Sequence, residues 1–295
     1  MRALRLSGLA FSLVVTLLGA DALASAFYLT GDTAGLVTVG ARSATTREAL
    51  VVFPGYGMPG DLLSEAFAPY LPEDEALIVV RYAERGIDMD DIYQRIMAEL
   101  RRLGPGEVKL YGASMGGMCA RNFLERYRWD GAPFGAVSLV LDSAPSAASR
   151  IRRPGWAFGV ASWYGGGPLS TATWAAVSAV SPKPPPETDA DPALVAEARH
   201  AGAWIGTPAL ASQAHFIARF PPLRGNELVG VVTRATYLRG TGPGMDPLVM
   251  IDASLADWRR AFPDLTVRTV TARDPRWHLP IIERPHETMN VILAA

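Results

Sequence analysis

Lysine is almost missing from this chain of 295 residues. Only Lys109 and Lys183 occur, so all but two of the 28 basic residues are arginine. That bias reads as GC-rich, bacterial codon usage and not as a device for holding phosphate. Acidic and basic residues nearly cancel, to a net charge of −1, so no basic surface for nucleic acid is expected. Cysteine occurs once, at Cys119. That excludes an intrachain disulfide and argues against a cysteine-ligated metal site. Histidine is also scarce, with His200, His215, His278 and His286 making up the full set. No internal repeat is found, and no second long apolar run follows the first.

That first run opens the chain, in "MRALRLSGLAFSLVVTLLGADALASAFYL". Arg2 and Arg5 precede an apolar stretch over residues 6–20, and small residues then alternate at Ala22, Ala24 and Ala26. This is the order of a secretory signal peptide, with Ala24-Ser25-Ala26 as the expected cleavage site. Residues 6–29 also exceed the roughly 20 residues that span a bilayer, so an uncleaved membrane anchor is a second reading. Asp21 would be costly within such a span. A buried soluble helix is a third reading. The first two agree that the rest of the chain works outside the cytoplasmic membrane, either secreted or periplasmic, or anchored. Residues 1–26 are accordingly set apart as signal peptide or anchor.

The rest suits one α/β domain carrying an insertion, at 49 % apolar and 19 % charged residues for the whole chain. Continuous apolar runs at 49–53 and 76–82 are expected strands buried on both faces, and 35–41 is a weaker early strand. A helix is expected between the two strong runs, from Leu62, Leu63, Ala66 and Phe67. Another carries the stripe Ile92, Ile96, Met97, Leu100 and Leu103, capped by Asp88 or Asp90 and stopped by Gly104-Pro105. A strand at 108–112, a helix from about 115 to 127 and a strand at 137–142 follow. The alternation predicts a mostly parallel central sheet flanked by helices. It breaks at 146–228, rich in Trp, Gly, Pro and Ala, with "SPKPPPE" reading as extended linker. It resumes with strands at 235–240 and 265–270 and helices near 254–262 and 287–293. The expected division is thus 27–145 and 229–295 for the core and 146–228 for the insertion.

Chemistry concentrates at "KLYGASMGGMC", residues 109–119. A strand turns sharply into a helix, with Ser114 at the turn and glycines two residues to either side, at Gly112 and Gly116. The glycines let the turn form and let the helix approach the strand. Ser114 then stands at the carboxyl edge of the sheet, where α/β folds bind ligands. The N–H of Met115, at the helix N-terminus, can stabilise a developing oxyanion. A short motif also recurs by chance as a structural glycine turn; its place between strand and helix is what favours a nucleophile.

The segment "YGASMGGM" resembles the nucleophile elbow of the α/β-hydrolase superfamily, in the form common among its lipases, esterases and thioesterases. The resemblance covers most of the chain after about residue 49, apart from the insertion. It implies the α/β-hydrolase fold with the insertion as a lid over the site. The loop "VVFPGYGMPGD" is similar to the family's first oxyanion loop, with Pro54 where a histidine is usual. The implied backbone donors are therefore Tyr56 and Met115. "RDPRWHLPIIERPHETMNVIL" resembles the family's last segment and implies His278 as the base, with His286 the lesser candidate. "RGTGPGMDPLVM" implies Asp246 as the acid, with Asp142 the competitor one strand earlier. The order Ser114, Asp246, His278 is that of the fold. The resemblance implies an esterase- or lipase-like serine hydrolase acting on small-molecule or lipid esters. No metal or cofactor is needed, and the N-terminal segment provides for membrane association. An acyltransferase, a peptidase, and a non-catalytic binding protein on the same scaffold are the alternatives.

Overall fold

The computed structural model describes residues 11–21, 23, 33–40, 46–84, 86–134, 136–152, 196, 207–225, 228–240, 246–271 and 278–295. Most of the insertion lies outside these residues, with Trp156, Trp163, Trp174, Trp204 and the proline run. So do His200 and the Ala24-Ser25-Ala26 site.

Among the described residues seven strands form one sheet in the order β1-β3-β2-β4-β5-β6-β7. They are β1 (Gly35–Gly40), β2 (Glu48–Phe53), β3 (Glu75–Arg81), β4 (Glu107–Ala113), β5 (Ala136–Asp142), β6 (Arg234–Gly240) and β7 (Thr266–Val270). β1 runs antiparallel to β3 and every other pair is parallel. The continuous apolar runs have their physical reason here, since every residue of β2 is buried and apolar side chains pack on both sheet faces. Val51, Phe53, Ile78 and Leu110 join one core cluster, while Leu50, Val52, Leu77 and Tyr111 join the other.

The described helices are α1 (Gly60–Phe67), α2 (Met89–Leu103), α3 (Met115–Trp129), α4 (Thr207–Arg219), α5 (Ile251–Ala261), α6 (Pro280–Glu283) and α7 (Pro285–Ala294), beside a helical stretch at 11–21. α2 buries the expected stripe. Of its two candidate caps Asp88 does the work, accepting from the N–H groups of Asp90 and Asp91 at 2.9 and 3.1 Å. Such a cap contributes about 1 kcal/mol. Gly104 ends α2 in the left-handed conformation, φ 61°. At the amino end of the sheet the buried Lys109 lies 2.6 Å from Glu48 and donates to the carbonyl of Leu293 at 2.9 Å. One of the chain's two lysines therefore ties α7 to the sheet.

Several elements depart from expectation. α5 and α7 each start earlier than their apolar pattern suggests, at Ile251 and at Arg284-Pro285; proline at the first helical position needs no partner for an N–H it lacks. α4 was not anticipated at all. Leu210, Ala214 and Ile217 are spaced for one helix face, and Thr207-Pro208 is a start signal. The proline- and glycine-rich surroundings hid both. Among the described residues no helix is long and apolar enough to cross a membrane.

Candidate active site

Register brings the site together. Phe53 of β2 pairs with Gly112 of β4, and Ala113 of β4 pairs with Asp142 of β5. The loop after β2 and the turn after β4 therefore leave the sheet side by side. Ser114 makes that turn at φ 50°, ψ −115°, a conformation costing about 1–3 kcal/mol for a residue with a side chain. It is held there because its N–H donates to the carbonyl of Asp142 at 2.8 Å and its carbonyl accepts from Gly117 at 2.9 Å.

Close approach explains the glycines. A β-carbon on Gly116 would lie 1.9 Å from the carbonyl oxygen of Phe53, and one on Gly112 would lie 2.6 Å from the Cα of Gly117. Both contacts are with backbone, which cannot step aside. The first turn of α3 is thus pressed against the end of β2. Pro54-Gly55-Tyr56 follows directly. The Tyr82 hydroxyl donates to the carbonyl of Pro54 at 3.0 Å, and Met58 N–H donates to the carbonyl of Gly55 at 3.1 Å. Met115 takes the first position of α3, where an N–H has no intrahelical acceptor.

His278 Nε2 lies 2.7 Å from Ser114 Oγ, and His278 Nδ1 lies 2.7 Å from Asp246 Oδ2. The side chains of His278 and Asp246 are 11 % and 7 % exposed. The neighbours of His278 anchor it, since Leu279 and Ile281 are buried with Val270 and Met289 in one core cluster. Asp246 is fixed by its own loop: Oδ1 accepts from the N–H groups of Leu248 and Val249 at 2.8 and 2.7 Å. That leaves Oδ2 for the histidine. Arg152 adds a brace by donating to the Asp246 carbonyl at 2.7 Å.

The competing candidates sit elsewhere. Asp142 is fully buried and accepts from the Tyr111 hydroxyl at 2.6 Å. Burial pushes its carboxyl up to about 6, against the opposing pull of the Tyr111 hydrogen bond and of His278. His286 is exposed on α7, its ring against Tyr70. Cys119 is buried, and burial raises its thiol to about 12, so it is a packing residue and not a reactive one. Among the described residues no group of three or more His, Cys, Asp and Glu side chains is placed to hold a metal ion. The contacts of Arg152 and α4 with the site span long stretches of sequence, and only α4 left a local signal.

No family model matches the sequence, and no curated protein matches it. Solved structures do. The enol-lactonase from Burkholderia xenovorans LB400 is 16 % identical with a TM-score of 0.63, over 90 % of this chain and 97 % of its own. An esterase from Exiguobacterium antarcticum is 13 % identical at 0.62, over 90 % and 96 %. The bottromycin epimerase BotH, in complex with bottromycin A2, is 16 % identical at 0.60, again over 90 % and 96 %. An epimerase among hydrolases illustrates that this scaffold carries more than one chemistry. At these identities the likeness is one of architecture, and with the sheet order and the turn at Ser114 it establishes that the chain has the α/β-hydrolase fold.

Proposed function

We propose that the chain is a serine hydrolase that cleaves carboxylic esters through an acyl-enzyme on Ser114. The observation that carries this reading is the hydrogen-bonded series Ser114, His278, Asp246 at the carboxyl edge of the sheet. In it, Asp246 holds Nδ1–H of His278, so Nε2 presents its lone pair to Ser114. His278 takes the Oγ proton as Oγ attacks the ester carbonyl carbon. The N–H groups of Tyr56 and Met115 hold the resulting oxyanion, a contribution worth about 3–4 kcal/mol for each donor in comparable sites. His278 then protonates the departing alkoxide. In the second half water attacks the acyl carbon as it gives a proton to His278, and His278 returns that proton to Ser114 Oγ as the acyl C–O bond breaks and the acid leaves.

The proposal extends to location and substrate. Residues 1–26 serve as signal peptide or anchor. In support, Phe11, Leu13, Val14, Val15, Leu17, Leu18 and Leu23 are all exposed. The tryptophan- and alanine-rich composition of the insertion at 146–228 suits an apolar acyl chain. The test has two parts. A fluorophosphonate should label Ser114 in protein that hydrolyses p-nitrophenyl esters; absence of both labelling and turnover sinks the reading. Activity across esters of increasing chain length then sorts esterase from lipase. N-terminal sequencing of protein recovered outside the cytoplasm should start at Phe27 for a cleaved signal. Retention of the whole chain in the cytoplasm overturns export.

A further inference from the structure

α4 belongs to the insertion, yet it touches the core at both sides of the proposed oxyanion site. At its middle lies Gln213, a polar side chain only 5 % exposed. Its Oε1 accepts from the N–H of Gly57 at 2.7 Å, a contact spanning 156 residues of sequence. A β-carbon on Gly57 would meet Leu210, three residues earlier on α4, at 3.4 Å. Further along, Ile217 and Phe220, just past the helix end, form a small buried cluster with Met115 and Met118 of α3. Positions 210, 213 and 217 share one helix face. That face therefore meets the loop carrying Tyr56 and also the turn carrying Met115.

The geometry of the loop shows what the contact does. The Tyr56 N–H belongs to the Gly55–Tyr56 peptide. In a trans peptide the carbonyl and the N–H point in opposite directions, and this carbonyl is held by Met58. The next peptide, Tyr56–Gly57, is held through its own N–H by Gln213. Two consecutive peptide planes are thus pinned, one on either side of Tyr56, and Gly57 itself sits at φ 71°. Without Gln213 water would compete for the Gly57 N–H. The acceptor is an uncharged amide. A carboxylate at this place would add negative charge close to where negative charge develops in the proposed reaction.

We infer that Gln213 is a positioning residue of the oxyanion site, acting through Gly57 to aim the Tyr56 N–H, and that α4 is a structural arm of the active site and not only part of a cover. The inference rests on the hydrolase reading for its kinetic consequence but not for the contact itself. The test compares the full chain with Gln213→Met, which keeps the volume and removes the acceptor. Ester hydrolysis is expressed per serine titrated by the fluorophosphonate, so a loss of folded protein cancels out. We expect kcat to fall about 10- to 100-fold with KM within about twofold, as for a small misplacement of a catalytic donor. Amide hydrogen exchange at Gly57 should speed up at least about tenfold as its acceptor is lost. Gln213→Asn, which shortens the reach by one methylene, should move both readouts the same way and serves if the Met variant does not fold. An unchanged kcat alongside faster exchange overturns the positioning role. Unchanged exchange overturns the contact. If the parent chain takes no probe and cleaves no ester, the hydrolase reading fails, and exchange at Gly57 still decides whether Gln213 holds the loop.

Discussion

The carboxyl ends of β5 and β6 lie side by side, and each leads to an aspartate, but the two acids live under different physics. Asp142 is the last residue of β5, wholly buried, with its side chain turned to the hydroxyl of Tyr111. Asp246 lies a few residues beyond β6, where its loop supplies two N–H donors to one oxygen and leaves the other for His278. For the acid at the strand end burial dominates, and the Tyr111 hydroxyl, Ser143 and the backbone of Ile281 offset it only in part. An acid in a loop can be met by the loop's own amides. The backbone of Asp142 still serves the site, since its carbonyl holds the N–H of Ser114. The same strand end is thus scaffold through its main chain and a buried burden through its side chain.

The contrast breaks first at Asp246. Asp246→Asn should lower kcat by about 10³- to 10⁴-fold, because an amide no longer holds the proposed tautomer of His278. Asp142→Asn should leave kcat within about threefold. Kinetics of the two variants per titrated serine check this, and the reverse ranking would exchange the roles of the two acids.

Stability against pH sharpens the same contrast. The Asp142 carboxyl titrates higher in the folded chain than in the unfolded one, from 3.8 to about 6. Between those values the folded state binds more protons, so stability falls as pH rises through the window, and the loss is complete above it. Its size is on the order of 3 kcal/mol. Asp142→Asn removes this component. Thermal melts of variant and parent should converge near the lower value and separate near pH 7, with the variant the more stable. Melting curves that stay parallel across the window contradict the burial argument. A smaller effect is expected from Tyr111→Phe, which withdraws the hydroxyl from Asp142 and should cost about 1–3 kcal/mol, read as a lower Tm with activity per titrated serine unchanged.

The sheet was legible because burial on both faces forces continuous apolar runs, as at β2 and β3. The turn at Ser114 was legible because glycine spacing and the strand-to-helix switch coincide there. Asp88 could be named only as one of two caps, since both aspartates precede the stripe and only the geometry of the first turn separates them. Gln213 could not be read at all. Its partner Gly57 is a backbone amide far away in sequence, and no residue type at position 57 announces such a contact. The same holds for Tyr111 and Asp142, whose pairing depends on which strands end up adjacent.

The contact between Gly116 and the carbonyl of Phe53 has a consequence at the level of the gene. Every missense change at a glycine codon adds a β-carbon, and here no β-carbon fits. Position 116 is therefore a site with no tolerated amino-acid neighbour: any single-nucleotide missense change there displaces the elbow from the loop that carries Tyr56. The proposed chemistry can drift at its substrate pocket, but at this codon it can only be kept or lost.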